Sequence, residues 1–423
     1  MTLDTIMILS VCFFLFSVLA KRIDGSLITP PMLFLGFGLL LGRLGLEWFE
    51  IEIELTALHF LAELTLVVIL FHDAARIPLR ALRREHTLPV RMLLVGMPLM
   101  IVLGAIMASW LPLGLSFWEA CLLATLLSPT DAALGLPVVE SKALPVRMRQ
   151  AVNVESGLND GIALPLVLVF ASLATTGDER TATEWAWFVT RQLSLGPLVG
   201  VLIGGMGGWI ICRLYTHGWM GERAEGIAVL SIAALSFSVA DSVGGNGFIS
   251  AFSAGLMFGH FLKRPAPFVF KFAETEGQLL TLSIFFLLGA VLLASQISNI
   301  TPWVVLYALL SLVLIRMLAI GISLLGTGLH GWSYVFLGWF GPRGLATLIF
   351  VVLVQQDKAF EHSSTVGATA LLTVVFSIVL HGLTAAPGVR LYARFLDSSE
   401  HKAERQAVPE VPTRKGEFSR VES

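Results

Sequence analysis

The sequence predicts an all-α polytopic membrane protein, and three observations carry that prediction. Of the 423 residues, 56% are hydrophobic and 14% charged, and the mean hydropathy of +0.81 lies outside the range of soluble domains. A window of about 19 residues finds about thirteen apolar segments. Two of those segments, far apart in the chain, are interrupted by proline and glycine next to polar residues, as in transporters built from discontinuous helices.

The spans begin near residues 4, 27, 56, 90, 115, 151, 187, 224, 245, 277, 301, 330 and 364. The opening run "IMILSVCFFLFSVLA" lacks a preceding basic region and a small-residue cleavage site, so it reads as the first span rather than a signal peptide. The third span, "LAELTLVVILFHDAARI", carries Glu63, with His72 and Asp73 at its inner, interfacial end. Glu63 and Asp241 are read as solvated-cavity or helix-end groups, and His260 as a span-end residue. Glycines in "GLLLGRLG" and "GPLVGVLIGGMGG" lack the Lys-Ser/Thr of a phosphate loop and read as close helix contacts. The segment from 391 to 423 is polar and is expected to be a short, disordered cytoplasmic tail.

Charge placement tests the span count. With the N-terminus outside, alternate loops hold Lys21, Arg22, Arg76, Arg80, Arg83, Arg84, Arg91, Lys142, Arg147, Arg149, Arg213, Arg223, Lys263, Arg264 and Lys271, against Arg43, Arg180, Arg191 and Lys358 on the other side. Basic residues favour cytoplasmic loops, so the C-terminus is expected inside. The net charge of -2 and the scattered Lys and Arg give no nucleic-acid stripe. Cys12, Cys121 and Cys212 are isolated in or beside apolar runs, which argues against a disulfide framework or a zinc site.

Charges inside spans are costly and mark function. In the fifth span, "LLSPTDAALGLPVV", Pro129, Gly135 and Pro137 make a continuous helix improbable. A break near Ser128 to Asp131 frees carbonyls and the Thr130 hydroxyl beside the Asp131 carboxylate, an oxygen set suited to a hard cation. In the sixth span, "NVESGLNDGIALPLV", Ser156 and Asp160 share one helix face and Glu155 and Asn159 the next. Glu155 and Asp160 stand about 140° apart on the helix, so one can meet an ion while the other meets an arginine. Arg316, in "SLVLIRMLAIG", and Arg343, in "WFGPRGLATLIF", both lie in apolar runs and need partners. Arg343 sits in the second interruption, with Gly341, Pro342 and Gly344, where capping the broken helix is an equal alternative to ion work. His381, in "SIVLHGLTAAPG", is read as a hydrogen-bonded packing histidine rather than a proton sensor.

The segments "SPTDAALGLPVVES", "VESGLNDGIALPLV", "GGNGFISAFSAGL" and "FGPRGLATLIF", in this order, resemble the monovalent cation:proton antiporters of the NhaP and NHE type over residues 5 to 390. The resemblance implies an inverted-repeat fold with two broken crossing helices. It implies that Asp160 binds either a cation or a proton, and that Asp131, Ser156 and the Thr130 backbone help to hold sodium. It also implies that Glu155 pairs with Arg316 and that Asn159 holds the two broken helices together. Further implications are a homodimer, a transport bundle of approximately 88–175 and 300–390, and an interface domain of approximately 1–87 and 220–298. The tail is short beside that of the animal exchangers, so regulation by a long C-terminal domain is not expected.

The expected function is sodium (or lithium) exchange for protons in the plasma (inner) membrane, for pH and sodium homeostasis, with no cofactor and no enzymatic step. Asn159, where electrogenic relatives carry a second Asp, favours one-for-one exchange. Potassium/proton exchange is the alternative in the same class. A cation channel would need a symmetric filter, and an intramembrane hydrolase a nucleophile with a base or a metal pair; neither pattern is present.

Overall fold

The computed structural model describes residues 3–23, 26–48, 55–75, 87–131, 134–175, 181–262, 267–357, 360–397 and 403–406. Helices occupy every expected span among them. They are α1 (Leu3–Ile23), α2 (Pro30–Leu41), α3 (Leu55–Ala75), α4 (Thr87–Trp110), α5 (Phe117–Leu126), α6 (Leu136–Val139), α7 (Val146–Ala174), α8 (Ala182–Thr216), α9 (Glu222–Ser242) and α10 (Gly247–Phe261). After these come α11 (Pro267–Leu287, prolonged by a π-helical turn Leu288–Leu292), α12 (Pro302–Ser323), α13 (Gly331–Trp339), α14 (Leu345–Asp357) and α15 (Ser363–Asp397). Seven of these helices are long and apolar enough to cross a membrane by themselves. Two shorter pairs, α5 with α6 and α13 with α14, are the interrupted spans.

Packing sorts the helices into two groups. In one, α8 lies on α9 and α10, α10 on α3, and α11 on α2 and α9. In the other, α4 lies on α5 and α12, α5 on α7, α12 on α13 and α15, and α14 on α15. The groups meet where α3 touches α7 and α14 and where α10 touches α7. The seventh span, α8, thus packs with the first group. Large apolar side chains such as Phe14, Val18, Leu202, Met206 and Leu318 are exposed along the outer helices, as expected where the solvent is hydrocarbon.

The first group depends on glycine. A Cβ on Gly204 of α8 would stand 2.1 Å from the Ala254 carbonyl oxygen of α10, and one on Gly255 of α10 would stand 2.1 Å from that of Phe71 in α3. Gly38 of α2 meets the Phe286 oxygen at the same distance. Helices touching backbone to backbone gain dispersion contacts that lipid chains would otherwise supply.

The structure places the tail and the residues at the helix ends. The tail is not uniformly disordered: α15 continues to Asp397, and residues 403–406 are packed, with Glu404 only 2% exposed. The remainder of the tail lies outside the described residues, as do Arg76, Arg80, Arg83, Arg84, Arg180, Lys263, Arg264 and Lys358. Asp241 sits exposed in the last turn of α9, where its carbonyl accepts from Gly244 N at 2.9 Å. His72 is buried rather than interfacial, with Nδ1 3.5 Å from Asp73 Oδ1. His260 is exposed in the last turn of α10. All three cysteines are unpaired.

Gly204→Ala is expected to cost about 1–3 kcal/mol through overpacking, read as a lower melting temperature in detergent. Gly36→Ala, where nothing lies within 4 Å of the added carbon, should leave it unchanged or raise it slightly.

Candidate functional site

The site begins with two failures of helix hydrogen bonding. Pro129 has no N–H to return to Thr125, and the Thr125 carbonyl takes the Ser128 amide at 3.1 Å and the Ser128 hydroxyl at 2.9 Å instead. The Leu126 carbonyl accepts from the Thr347 hydroxyl of α14 at 2.9 Å. Pro129 to Asp131 have no regular secondary structure, and α6 starts at Leu136. The second failure, from Phe340 to Gly344, separates α13 from α14.

The two breaks are bonded to each other through Asp131. Its amide donates to the Pro342 carbonyl at 2.8 Å, and its Oδ2 accepts from Leu345 N, at the start of α14, at 2.9 Å. A carboxylate is stabilised there by the positive helix end. Gly344 makes the approach possible, since a Cβ on it would lie 2.1 Å from Asp131 Oδ2.

From α7, Ser156 Oγ lies 2.9 Å from Thr130 Oγ1, and Asn159 Nδ2 donates to the same hydroxyl at 2.6 Å. Asn159 therefore ties α7 to the first break, whereas the link between the two breaks belongs to Asp131. Asn159 Oδ1 is buried and accepts no hydrogen bond. Asp160, half-buried, follows on the same helix, one residue along and about 100° round from Asn159.

A separate layer holds the arginines. Arg316, 0% exposed, follows a π-helical turn, Ser311–Ile315, inside α12; such turns rotate the residues beyond them. Its Nη1 and Nη2 donate to Glu155 Oε1 and Oε2, each at 2.9 Å. The guanidinium lies flat against Gly341, where a Cβ would come within 1.9 Å of it. This two-bond fork is the geometry that offsets the desolvation of a buried pair. Arg343 Nη1 donates to the Gly341 carbonyl at 3.0 Å, so this side chain caps its own break. Met100 Sδ lies 3.5 Å from Arg343 Nη2 and 3.8 Å from Arg316 Nη1.

The last helix splints the second break. Arg343 N donates to Ser377 Oγ at 2.6 Å, Ser377 Oγ lies 3.2 Å from His381 Nδ1, and His381 Nε2 lies 2.9 Å from the Trp339 carbonyl. His381 Nδ1 also lies 3.0 Å from the Ser377 carbonyl, so the ring stands between two carbonyl acceptors, and which nitrogen carries the proton decides which of them it bonds. His381 is thus a packing histidine that joins the two sides of the break.

Sequence reasoning passed over Ser377, Met100 and Glu119. Glu119 is 2% exposed; it closes a capping box with Ser116 and accepts from His362 N at 2.9 Å. Its Ser-x-x-Glu spacing was a readable signal, while nothing local marked Met100. Among the described residues, no group of three or more His, Cys, Asp or Glu side chains is arranged to hold a metal ion. The oxygens around Thr130 come from hydroxyl and amide groups next in sequence to carboxylates, a hard donor set without thiolate or imidazole.

Comparisons with known proteins agree with this architecture. A family model described as "Sodium/hydrogen exchanger, transmembrane" matches residues 7–391. The chain is 26% identical over 381 residues to the K(+)/H(+) antiporter NhaP2 of Shewanella oneidensis, covering 89% of this chain but 65% of that protein. It is 26% identical over 336 residues to the Na(+)/H(+) antiporter NhaG of Bacillus atrophaeus, covering 77% and 62%. The chain thus spans about two thirds of the length of these relatives. The solved structure of the sodium proton antiporter MjNhaP1 from Methanocaldococcus jannaschii has a similar fold, with a TM-score of 0.79 at 20% identity over 94% of this chain and 100% of that one.

Removing one member of the Glu155 and Arg316 pair should strand a buried charge. Arg316→Met is expected to cost about 3–5 kcal/mol, and the double variant with Glu155→Leu to recover most of it. Thermal unfolding of the purified single and double variants checks this.

Proposed function

The chain belongs to the sodium/hydrogen exchanger family, and we propose that it is a secondary antiporter, not an enzyme, that exchanges sodium or lithium for protons across the membrane. The observation that carries the reading is the oxygen cluster of Thr130, Ser156 and Asn159 at the crossing of two broken helices, with Asp160 next along α7. Asp160 carries either the cation or the proton, and Asp131, Ser156 and Thr130 lend further oxygens to the cation. The Asn159 carbonyl oxygen, buried and without a donor, joins that set.

Exchange follows from charge. A bare carboxylate is costly to move through a low-dielectric region, whereas a protonated or cation-loaded one is neutralised. The bundle of α4 to α7 and α12 to α15 therefore shifts against the remaining helices only when Asp160 is occupied, and competition for Asp160 couples the two ions. Glu155, Arg316 and Arg343 hold their charges in fixed contacts and keep the crossing in register. With a single exchangeable carboxylate beside Asn159, the exchange is one for one. The protein works as a homodimer in the plasma (inner) membrane, N-terminus outside and C-terminus in the cytoplasm.

Potassium is the second reading, favoured by the names of the relatives from Shewanella and from Alkalimonas amylolytica, both K(+)/H(+) antiporters. The fold is compatible with either ion, because selection among monovalent cations turns on small differences in cavity size.

Purified protein in liposomes should move protons when sodium or lithium is added to one side, and Asp160→Asn should reduce that flux to background. A response to potassium alone would transfer the function to potassium exchange. Absence of any cation-driven flux in the unmodified protein would sink the antiport reading.

A further inference from the structure

One buried carboxylate lies outside the crossing and has no part in the exchange described above. Glu404 belongs to a polar segment, yet it is only 2% exposed. Its Oε1 accepts from the His330 amide and from the Ser333 hydroxyl, each at 2.7 Å. His330 is the N-cap of α13, so the carboxylate sits on the positive end of that helix. Ser333 is fully buried and also accepts from the Tyr392 hydroxyl of α15 at 2.8 Å.

The neighbouring residues bind two further elements. Arg147, in the first turn of α7, donates to the Ala403 carbonyl, and Ala403 packs on a small core cluster that includes Met148, Phe336 and Tyr392. Arg405 Nη2 donates to the Leu396 carbonyl at 3.0 Å and to Asp397 Oδ1 at 3.3 Å. Three consecutive residues, Ala403 to Arg405, thus join the starts of α7 and α13 to the end of α15.

We infer that Glu404 is a positioning residue for the ion site, acting through α13. The helix geometry supplies the reason. Arg147 precedes Glu155 on α7 by eight residues, a rise of about 12 Å, and α13 climbs about 13 Å over its nine residues. The tail therefore pins the two arms roughly level with each other below the layer where Glu155, Arg316 and the second break meet. Arg316 bridges those arms, with Glu155 at 2.9 Å on α7 and the Leu337 carbonyl at 3.5 Å on α13. A slide of α13 by a single residue's rise, about 1.5 Å, exceeds the tolerance of such bonds and would shift Gly341, Pro342 and the Asp131 contact with them. The carboxylate, not merely the bulk of the tail, is what holds α13 from sliding.

The inference rests on the antiport reading for one of its two tests. In the full chain, hydrogen exchange at the amides of residues 330–334 is expected to be about tenfold faster in Glu404→Gln, because a charge-assisted cap is lost, and intermediate in Glu404→Asp. In proteoliposomes the half-saturating cation concentration for proton flux should rise about threefold or more in Glu404→Gln, with the maximal rate per folded molecule little changed. A chain ending at Asp397 should behave likewise and be rescued by a synthetic peptide of residues 398–410, but not by the same peptide carrying Glu404→Gln. Unchanged amide exchange in Glu404→Gln overturns the inference. So does faster exchange with unaltered half-saturation, since the contact would then be a helix cap alone. If the unmodified protein shows no cation-driven flux, the antiport reading fails, and the amide-exchange test decides on its own whether Glu404 holds α13.

Discussion

The bond between the two chain breaks is the constraint on which the rest of the structure depends. Two apolar helices that stop inside the protein leave free amides and carbonyls where no water competes for them, and each such group costs several kcal/mol if unsatisfied. Asp131 meets this on both sides, donating from its amide to Pro342 and accepting from Leu345. Thr347, Ser128 and the Ser377 and His381 pair satisfy further groups at the breaks. The side chains of Thr130, Ser156 and Asn159 meet beside the first break, so the proposed ion site lies against the break rather than within a continuous helix.

The charges follow the same logic of separation. The Glu155 and Arg316 fork is turned about 140° away from Asp160 on α7, so Asp160, the proposed ion carrier, does not share the helix face that meets that arginine. Arg343 donates from Nη1 to the carbonyl of its own break and turns Nη2 to Met100 Sδ. Glycine at 341 and 344 lets a guanidinium and a carboxylate lie directly on the backbone; any side chain there would push the charged layer and the crossing apart.

The entry halves of the two broken spans are held from their far ends in parallel fashion. α5 begins with Glu119, which accepts from His362, and α13 begins against Glu404. These starts lie at opposite ends of the bundle, since Arg91 at the start of α4 bonds to Leu325 at the end of α12 and the two helices run antiparallel. Each half-helix is therefore fixed at a buried carboxylate at one end and at the crossing at the other.

Hydropathy and punctuation determined by themselves the helical class, the order of the spans and the positions of both breaks, because proline, glycine and a run of about 19 apolar residues act locally. Spacing along one helix likewise placed Glu155 and Asp160 on different faces. Tertiary structure alone decided the partners. Asp131 meets a helix start 214 residues away, Arg316 meets Glu155 across 161, and Glu404 meets α13 across 74. The tail read as disordered because its composition is polar, and composition carries no record of a buried helix N-terminus waiting for a carboxylate. Hydrogen bonds between segments distant in sequence depend on how helices cross, and no local pattern encodes a crossing.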